Sequence, residues 1–369
     1  MKKLKICLIS LTVSPDMVDG EAKVIKALFE YLKKQGHSVK LLTGKWNKEL
    51  NIPDIIQFDL IRKRFLWVLH FYLQVFRYLR RNKFDIIHAN SAKAAFPVIL
   101  SGQKKFICAI HDFTPFETQL TKFLLEKLLI KFISKRASSI VTVSNFVKQE
   151  FQHFIPNIDK NKIETIYNGI DEKYIPYPNK AQKLREKLKI YGPILLYIGR
   201  ITRYKGVESI IEAYKLVKSD NPNINLVIGG KPDFLMKKEY DNWVENYKDV
   251  RFLGFIPEAD IPFYFSMGDI FITYSSSSEG FGLTSLEAIS CGTPVICSEI
   301  SVYKEILEDH ALFVPPSNPI KLAEKINLLL SDENLRNQLV RNAQEYIKKY
   351  SWNAVGKRLE SVYEKFNSC

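Results

Sequence analysis

The chain has 369 residues, 46% of them hydrophobic and 25% charged, a composition that excludes a disordered protein, a collagen and a coiled coil. At ~150 residues per domain this length predicts two domains. No run reaches the ~18 uncharged apolar residues that a spanning helix needs, which argues against an integral membrane protein. The net charge of +14 is uneven: residues 1–178 hold 29 Lys and Arg against 16 Asp and Glu, leaving 25 against 24 in the rest. One half is therefore strongly basic and suited to an anionic surface, and the other is neutral.

In chain order, LKICLISLTV opens the sequence behind Lys2 and Lys3. Its apolar run is short, and Ser14-Pro15-Asp16 follows with no small-residue cleavage site, so it reads as a buried first strand rather than a signal peptide. A loop with Gly20 leads to a helix from about Glu21 to Gln35, where Val24, Leu28, Tyr31 and Leu32 recur at helical spacing, and HSVKLLT returns as a second strand. The same pattern recurs in the second half. PILLYIG is followed by a loop from Arg200 to Gly206, a helix to about Ser219 and the strand INLVIGG. Each is a β-α-β unit, and strands of continuous Ile, Val and Leu suit a parallel sheet covered on both faces. FDIIHAN, KFICAIHD, SIVTVS and IETIYNG are further strands of the first half, and VRFLGFI, IFITY and TPVICS of the second. The expectation is two doubly wound α/β domains, with the joint near 171–192, where Pro176, Pro178, Asn179 and Gly192 interrupt the periodicity. After Pro319 the chain reads as helical to its end.

Two helices of the basic half stand apart. Between Asp59 and Asp85 there is no acid, and Arg62, Lys63, Arg64, Arg77, Arg80, Arg81 and Lys83 flank FLWVLHFYLQVF. The second, 121–137, carries Lys122, Lys127, Lys131, Lys135 and Arg136. Such helices suit either a bilayer interface or ordinary packing with solvated ends. Cys7, Cys108, Cys291, Cys297 and Cys369 have no framework spacing and read as reduced thiols of a cytosolic protein.

The dinucleotide fingerprint, the P-loop, the hydrolase elbow and the zinc-protease motif are all absent, and so is Asp-x-Asp, which would hold a metal on a nucleoside diphosphate. The informative stretch is YSSSSEGFGLTSLEAISCGTPVICS, residues 274–298. A strand enters a Ser/Gly loop, and a helix begins near Gly282 to Thr284. Strand end, loop and helix N-terminus together make an anion site. Glu279 lies in the loop and Glu287 in the helix, and no other charge occurs from Gly280 to Ser298. A carboxylate on an apolar helix is buried with a partner or faces a ligand. GRITRYKG, residues 199–206, ends the first strand of the second half, where open α/β sheets bind ligands, and offers Arg200 and Lys205 as phosphate clamps.

These segments resemble the retaining glycosyltransferases of family 4. The residues that carry the resemblance are GRITRYKG, EGFGLTSLEAISCGTPVI at 279–296, VTVSNFVKQEF at 141–151, IYNGID at 166–171 and the tail from Leu312 through YSW at 350–352. It spans nearly the whole chain. One departure is Asp19-Gly20, where the family often has a Gly-Gly pair.

The resemblance implies the GT-B fold, two facing Rossmann-like domains at about 1–175 and 190–350, with a C-terminal helix, 351–369, crossing back to the first. It implies transfer of a hexose from a nucleotide sugar such as UDP-glucose or GDP-mannose, with retention and no metal. Arg200 and Lys205 would neutralise the leaving diphosphate, with backbone donors at Phe281, Gly282, Leu283 and Thr284. Glu287 would accept from the ribose hydroxyls and Glu279 would hold the donor sugar. Gly254 to Ile256 would pass beside the base, Gly20 would admit the phosphates, and His111 would sit near the transferred sugar; on its residues alone, His111 reads equally as a satisfied core histidine. The acceptor would be a lipid-linked or polymeric glycan at the cytoplasmic, anionic membrane face. The competing readings are a soluble transferase making a small glycoside or storage polysaccharide, and a basic nucleic-acid-binding protein, the latter disfavoured because no RNA-binding signature is present.

Overall fold

A computed structural model describes residues 3–14, 20–46, 49–61, 63, 66–103, 105–112, 122–277 and 279–368, and only the backbone of 122–126 and 368. Met1, Lys2, Pro15, Asp16, Asp19, Arg62, Arg64, Phe65, Thr121, Ser278, Cys369 and the Lys122 side chain, on which parts of the reading above rest, lie outside the described residues.

The chain divides into two compact units, Met1–Gly169 with Tyr350–Cys369, and Ile170–Lys349. In the first, the described elements run β1 (Lys5–Ile9), α1 (Gly20–Lys34), β2 (Ser38–Lys45), β3 (Ile55–Asp59), α2 (Leu66–Arg81), β4 (Ile86–Ala89), α3 (Ala92–Leu100), β5 (Ile107–Ile110), α4 (Lys122–Arg136), β6 (Ser139–Thr142), α5 (Asn145–Phe154) and β7 (Ile163–Thr165). The second runs α6 (Pro178–Lys187), β8 (Ile194–Ile198), α7 (Val207–Asp220), β9 (Asn225–Gly229), α8 (Lys237–Asn246), β10 (Val250–Gly254), α9 (Ile261–Met267), β11 (Ile270–Thr273), α10 (Leu283–Ser290), β12 (Val295–Ser298), α11 (Ser301–Leu307), β13 (Leu312–Val314), α12 (Pro319–Ser331) and α13 (Glu333–Tyr346); α14 (Trp352–Ser368) closes the chain in the first unit.

The first sheet has the order β3-β2-β1-β4-β5-β6-β7 and the second β10-β9-β8-β11-β12-β13. Every pairing is parallel. Strand order reverses beside β1 in one unit and beside β8 in the other, and ligands of open α/β sheets bind outside the carboxyl ends at such points. β1, β4, β5, β8, β11 and β12 are buried almost throughout, as helices on both faces require. In the second unit Ile210, Tyr214 and Val217 of α7 and Leu322, Ile326 and Leu329 of α12 pack on Leu195, Leu226 and Ile270 of the sheet.

The first unit keeps α14 by buried polar contacts. Leu4 N–H donates to His37 Nδ1 at 3.1 Å, which leaves Nε2–H to donate to Glu360 at 2.9 Å. Tyr31 donates to the other Glu360 oxygen at 2.8 Å. Glu360 is only 2% exposed, so losing either donor would strand part of a buried carboxylate. The unit boundary at Gly169/Ile170 lies upstream of the expected joint, and α6 occupies part of what read as linker. Residues 170–175 belong to the second unit, where Lys173 and Tyr174 both bond Glu258 at 2.9 and 2.8 Å. Cys7, Cys108, Cys291 and Cys297 are buried and unbridged.

Candidate functional site

In the second unit, β8 delivers the chain to Gly199 and a loop that ends in a 3-10 turn, Arg203–Lys205. Gly206 then takes the left-handed conformation, φ 62°, and a Cβ there would stand 2.2 Å from the Tyr274 carbonyl oxygen. That close approach joins the loop after β8 to the loop after β11. Ser276 reinforces it, donating from N–H and Oγ to the Tyr204 carbonyl at 2.7 and 3.2 Å. Lys205 Nζ consequently meets Glu279 Oε2 in an ion pair, both side chains largely buried. Ser275 Oγ donates to the same oxygen at 3.2 Å. Behind it, the Tyr303 hydroxyl lies 2.7 Å from Thr273 Oγ1 and 3.5 Å from Ser275 Oγ. Burial, and then the Glu279 charge, push Tyr303 well above the ordinary phenol range, so it stays a neutral donor behind the carboxylate.

Arg200 is exposed, and its carbonyl accepts from the Tyr197 hydroxyl at 2.9 Å, which pins the loop's first turn. Gly282, φ 78°, caps α10 without a side chain; a Cβ would fall 2.5 Å from the Tyr303 ring. Phe281 is buried, and Leu283 and Thr284 are half-buried in the first turn. An N-terminus with no side-chain cap directs backbone N–H groups and the positive helix dipole at its surroundings. Ser285 Oγ, also in the first turn, is buried without a partner.

Glu287 is 2% exposed and hydrogen-bonds Tyr174, whose hydroxyl donates to Glu258 Oε1 at 2.8 Å. Lys173 Nζ shares that oxygen at 2.9 Å. Gly254, φ 64°, ends β10 with open space where a Cβ would be, and its carbonyl accepts from Gly230 N–H at 2.7 Å. Ile256 is buried against Gly229.

In the first unit Gly20 opens α1 and is exposed. His111 lies just beyond β5. Asn90, after β4, donates to the Glu21 carbonyl at 3.2 Å and turns Oδ1 to His111 Nε2 at 3.0 Å. The imidazole therefore carries its proton on Nε2 and offers Nδ1 as an acceptor. Burial pushes His111 down to about 4. His88 Nδ1 meets the Tyr363 hydroxyl of α14 at 2.7 Å, and burial, with His111 nearby, pushes His88 down to about 3.

Thus the structure brings Lys205 and Glu279 together, sets Arg200, Phe281 and Gly282 on loops and Leu283 and Thr284 in the first turn of α10 at the carboxyl end of the same sheet, and buries Glu287 with a tyrosine partner. Sequence reasoning missed Tyr174, Glu258, Ser275 and Tyr303. No spacing rule joins Tyr174 to Glu287, but Ser275 lay inside the motif that had already been singled out. Among the described residues no cluster of three or more His, Cys, Asp or Glu could hold a metal ion, and no helix is long and apolar enough to cross a membrane.

Among curated proteins the chain is similar to an uncharacterized glycosyltransferase of Methanocaldococcus jannaschii, 26% identical over 98% of both chains. It is 28% identical to the O-antigen chain mannosyltransferase B of Escherichia coli over 58% of each. Among solved structures, Anabaena HepE in complex with UDP and glucose superposes with a TM-score of 0.82 at 19% identity, over 98% of this chain and 100% of that one. That likeness extends the GT-B fold to both units. Residues 18–174 match the family model Glycosyltransferase Family 4, and residues 180–346 match Glycosyl transferases group 1. With both units matched by family and one of them carrying the paired Lys205 and Glu279 at its sheet's switch point, the chain belongs to the group 1 glycosyltransferases.

Proposed function

We propose that this enzyme is a retaining hexosyltransferase that takes its sugar from a nucleoside diphosphate donor and delivers it to a lipid-linked or polymeric glycan at a cytoplasmic, anionic membrane face. The observation that carries the donor assignment is the Lys205–Glu279 pair beside the uncapped N-terminus of α10. A diphosphate would compete for Lys205, with Arg200 and the N–H groups of 281–284 completing a cationic cradle. The glycosidic bond to phosphate breaks, the acceptor oxygen bonds the anomeric carbon, and the acceptor's proton passes to the leaving phosphate. Preorganised cations supply most of the acceleration, so no metal is required. Lys205 leaving for the phosphate frees Glu279 for donor-sugar hydroxyls, while Ser275 and Tyr303 keep it aimed. Glu287 takes the ribose hydroxyls, the 254–256 segment borders the base, and Gly20 and His111 serve the sugar-phosphate end. UDP, bound in the HepE structure, and GDP, the usual carrier of mannose, are the candidate carriers.

The membrane assignment rests on α2. Leu66, Leu69 and Leu73 are exposed in one stripe that continues into exposed Arg77 and Arg80, with Arg81 beside them. Leu128 and Phe132 of α4 are exposed beside Lys131, Lys135 and Arg136. Apolar stripes flanked by cations suit an anionic bilayer interface.

The test is a panel of UDP- and GDP-hexoses incubated with the protein in excess EDTA, with product configuration read by NMR. Transfer or slow hydrolysis with retention is expected. An inverted product, or activity lost in EDTA and restored by magnesium, would overturn the corresponding part.

A further inference from the structure

Tyr174 lies outside every motif singled out in the sequence, yet it is the residue through which two carboxylates meet, Glu287 buried and Glu258 half-buried. It is 4% exposed, and its ring packs against Phe265 of α9 at 6.1 Å. Its hydroxyl donates to Glu258 Oε1 at 2.8 Å and hydrogen-bonds the Glu287 side chain. A phenol has one proton, so it can satisfy only one carboxylate at a time. Lys173 resolves the competition. Its Nζ lies 2.9 Å from the same Glu258 oxygen and 3.4 Å from Asp171 Oδ2, which gives Glu258 a second donor and leaves the hydroxyl available to Glu287. Burial and the two carboxylates hold the phenol far above its usual range, so it remains a donor at any working pH. Glu258 follows Ile256 by two residues, so its carboxylate is continuous with the segment assigned to the base.

We propose that Tyr174 is a positioning residue of the donor site: with Lys173 holding Glu258, the Tyr174 hydroxyl turns its one proton to the Glu287 carboxylate and fixes it for the ribose hydroxyls. The proposal rests on the donor-site reading above, and its consequence is that nucleoside affinity depends on a side chain that does not touch the nucleotide.

The experiment is calorimetric titration of the full chain with UDP and with GDP for wild type, Tyr174→Phe, Glu287→Gln and the double variant. Phenylalanine keeps the ring against Phe265, and the unliganded melting midpoint shows that each variant is folded. Tyr174→Phe should weaken the preferred nucleotide by about tenfold, the loss expected for one hydrogen bond to a charged group, and the double variant should bind no more weakly than Glu287→Gln alone. If Glu287→Gln loses affinity while Tyr174→Phe binds as wild type, or if the two losses add, the positioning role falls and the donor site stands. If Glu287→Gln itself binds both nucleotides normally, the donor-site reading falls. Glu258→Gln serves as a second variant: it removes the competing carboxylate, so affinity should be at least that of wild type, and a clear loss would show that the hydroxyl serves Glu258 rather than Glu287.

Discussion

At the carboxyl end of the second unit's sheet, cations and carboxylates are matched side chain to side chain: Lys205 on Glu279, and Lys173 on Glu258 with Tyr174 and Glu287 alongside. On the first unit, α2 carries Arg77, Arg80 and Arg81, which meet no acid among the described residues, and the sequence has none between Asp59 and Asp85. Two buried histidines of the first unit instead face its own last helix, through His37–Glu360 and His88–Tyr363. Matched charge in a half-buried site is a preorganised receptor for a small ligand, because the partners hold each other in place until the ligand replaces one of them. Unmatched charge on an exposed helix is a long-range field suited to an extended anionic surface. The same sheet order thus carries two different arrangements of charge.

The largest effect should come from breaking the matched pair. If Lys205 holds the donor phosphates as proposed, Lys205→Ala removes a preorganised cation from that site and should lower turnover by about 10²- to 10³-fold. It also leaves Glu279 without its ion-pair partner, with Ser275 still donating. A circular dichroism melt within a few degrees of wild type would show the fold intact. Unchanged turnover would mean that Lys205 is only a strut for Glu279.

The unmatched cations can be tested by reversal. Each basic residue near an anionic leaflet contributes about 1 kcal/mol, attenuated over a Debye length, so reversing Arg77, Arg80 and Arg81 to Glu should weaken binding to phosphatidylglycerol vesicles at low salt by on the order of 100-fold or more. Water hydrolysis of the donor should stay within about twofold, because the matched site belongs to the other unit. Equal vesicle binding by wild type and variant would return α2 to the status of a packing helix with solvated ends.

What the sequence made legible follows from where the information lies. The buried strands are continuous apolar runs, and the helix starting at Leu283 is announced by Gly282 and an apolar stretch. β3 and β13 were not foreseen, and both are edge strands with half-buried side chains, in which neither alternation nor a continuous run is clear. The pairing of Lys205 with Glu279 was not foreseen either, although both residues were. It depends on Gly206 meeting the Tyr274 carbonyl, a tertiary contact that no local spacing reveals. Tyr174 and Glu258 sit 113 and 29 residues from Glu287, and Glu360 reads as one more polar residue on an amphipathic helix until His37 and Tyr31 are seen around it.

Histidine chemistry sharpens the contrast in a smaller way. His88 and His111, both in the first unit, are held neutral by burial at about 3 and about 4. Their unfolded values lie near 6.5, so over the intervening pH range the unfolded chain binds more protons and stability falls as pH falls. Each should cost about 2 kcal/mol by pH 5, with the contribution complete above pH ~6.5. Trp46, Trp67 and Trp352 belong to the first unit and Trp243 to the second, so tryptophan fluorescence weights the unit concerned. Melts from pH 7.5 to 5 should show a falling midpoint in wild type and a shallower slope in His111→Gln. Identical slopes would show that carboxylates, not these imidazoles, govern the acid limb.

The smallest effect should come from the third cation of the loop that holds Lys205. Arg203 lies two residues from Lys205 and has the same sign of charge. Its guanidinium meets Glu239 Oε1 at 2.8 Å, with 81% of the Arg203 side chain and 44% of the Glu239 side chain exposed. An ion pair in that much water is screened and must order two long side chains, which leaves a net contribution of about 0.5 kcal/mol or less. The turn itself is fixed by the backbone, through the Lys205 N–H to Thr202 carbonyl bond at 3.0 Å and the Ser276 contacts to Tyr204, none of which involves the Arg203 side chain. Arg203→Ala should therefore leave turnover within about twofold and the melting midpoint nearly unmoved. A loss comparable to that of Lys205→Ala would show that the loop responds to its total charge rather than to one side chain directed into the site, and the contrast between matched and unmatched cations would have to be redrawn inside a single turn.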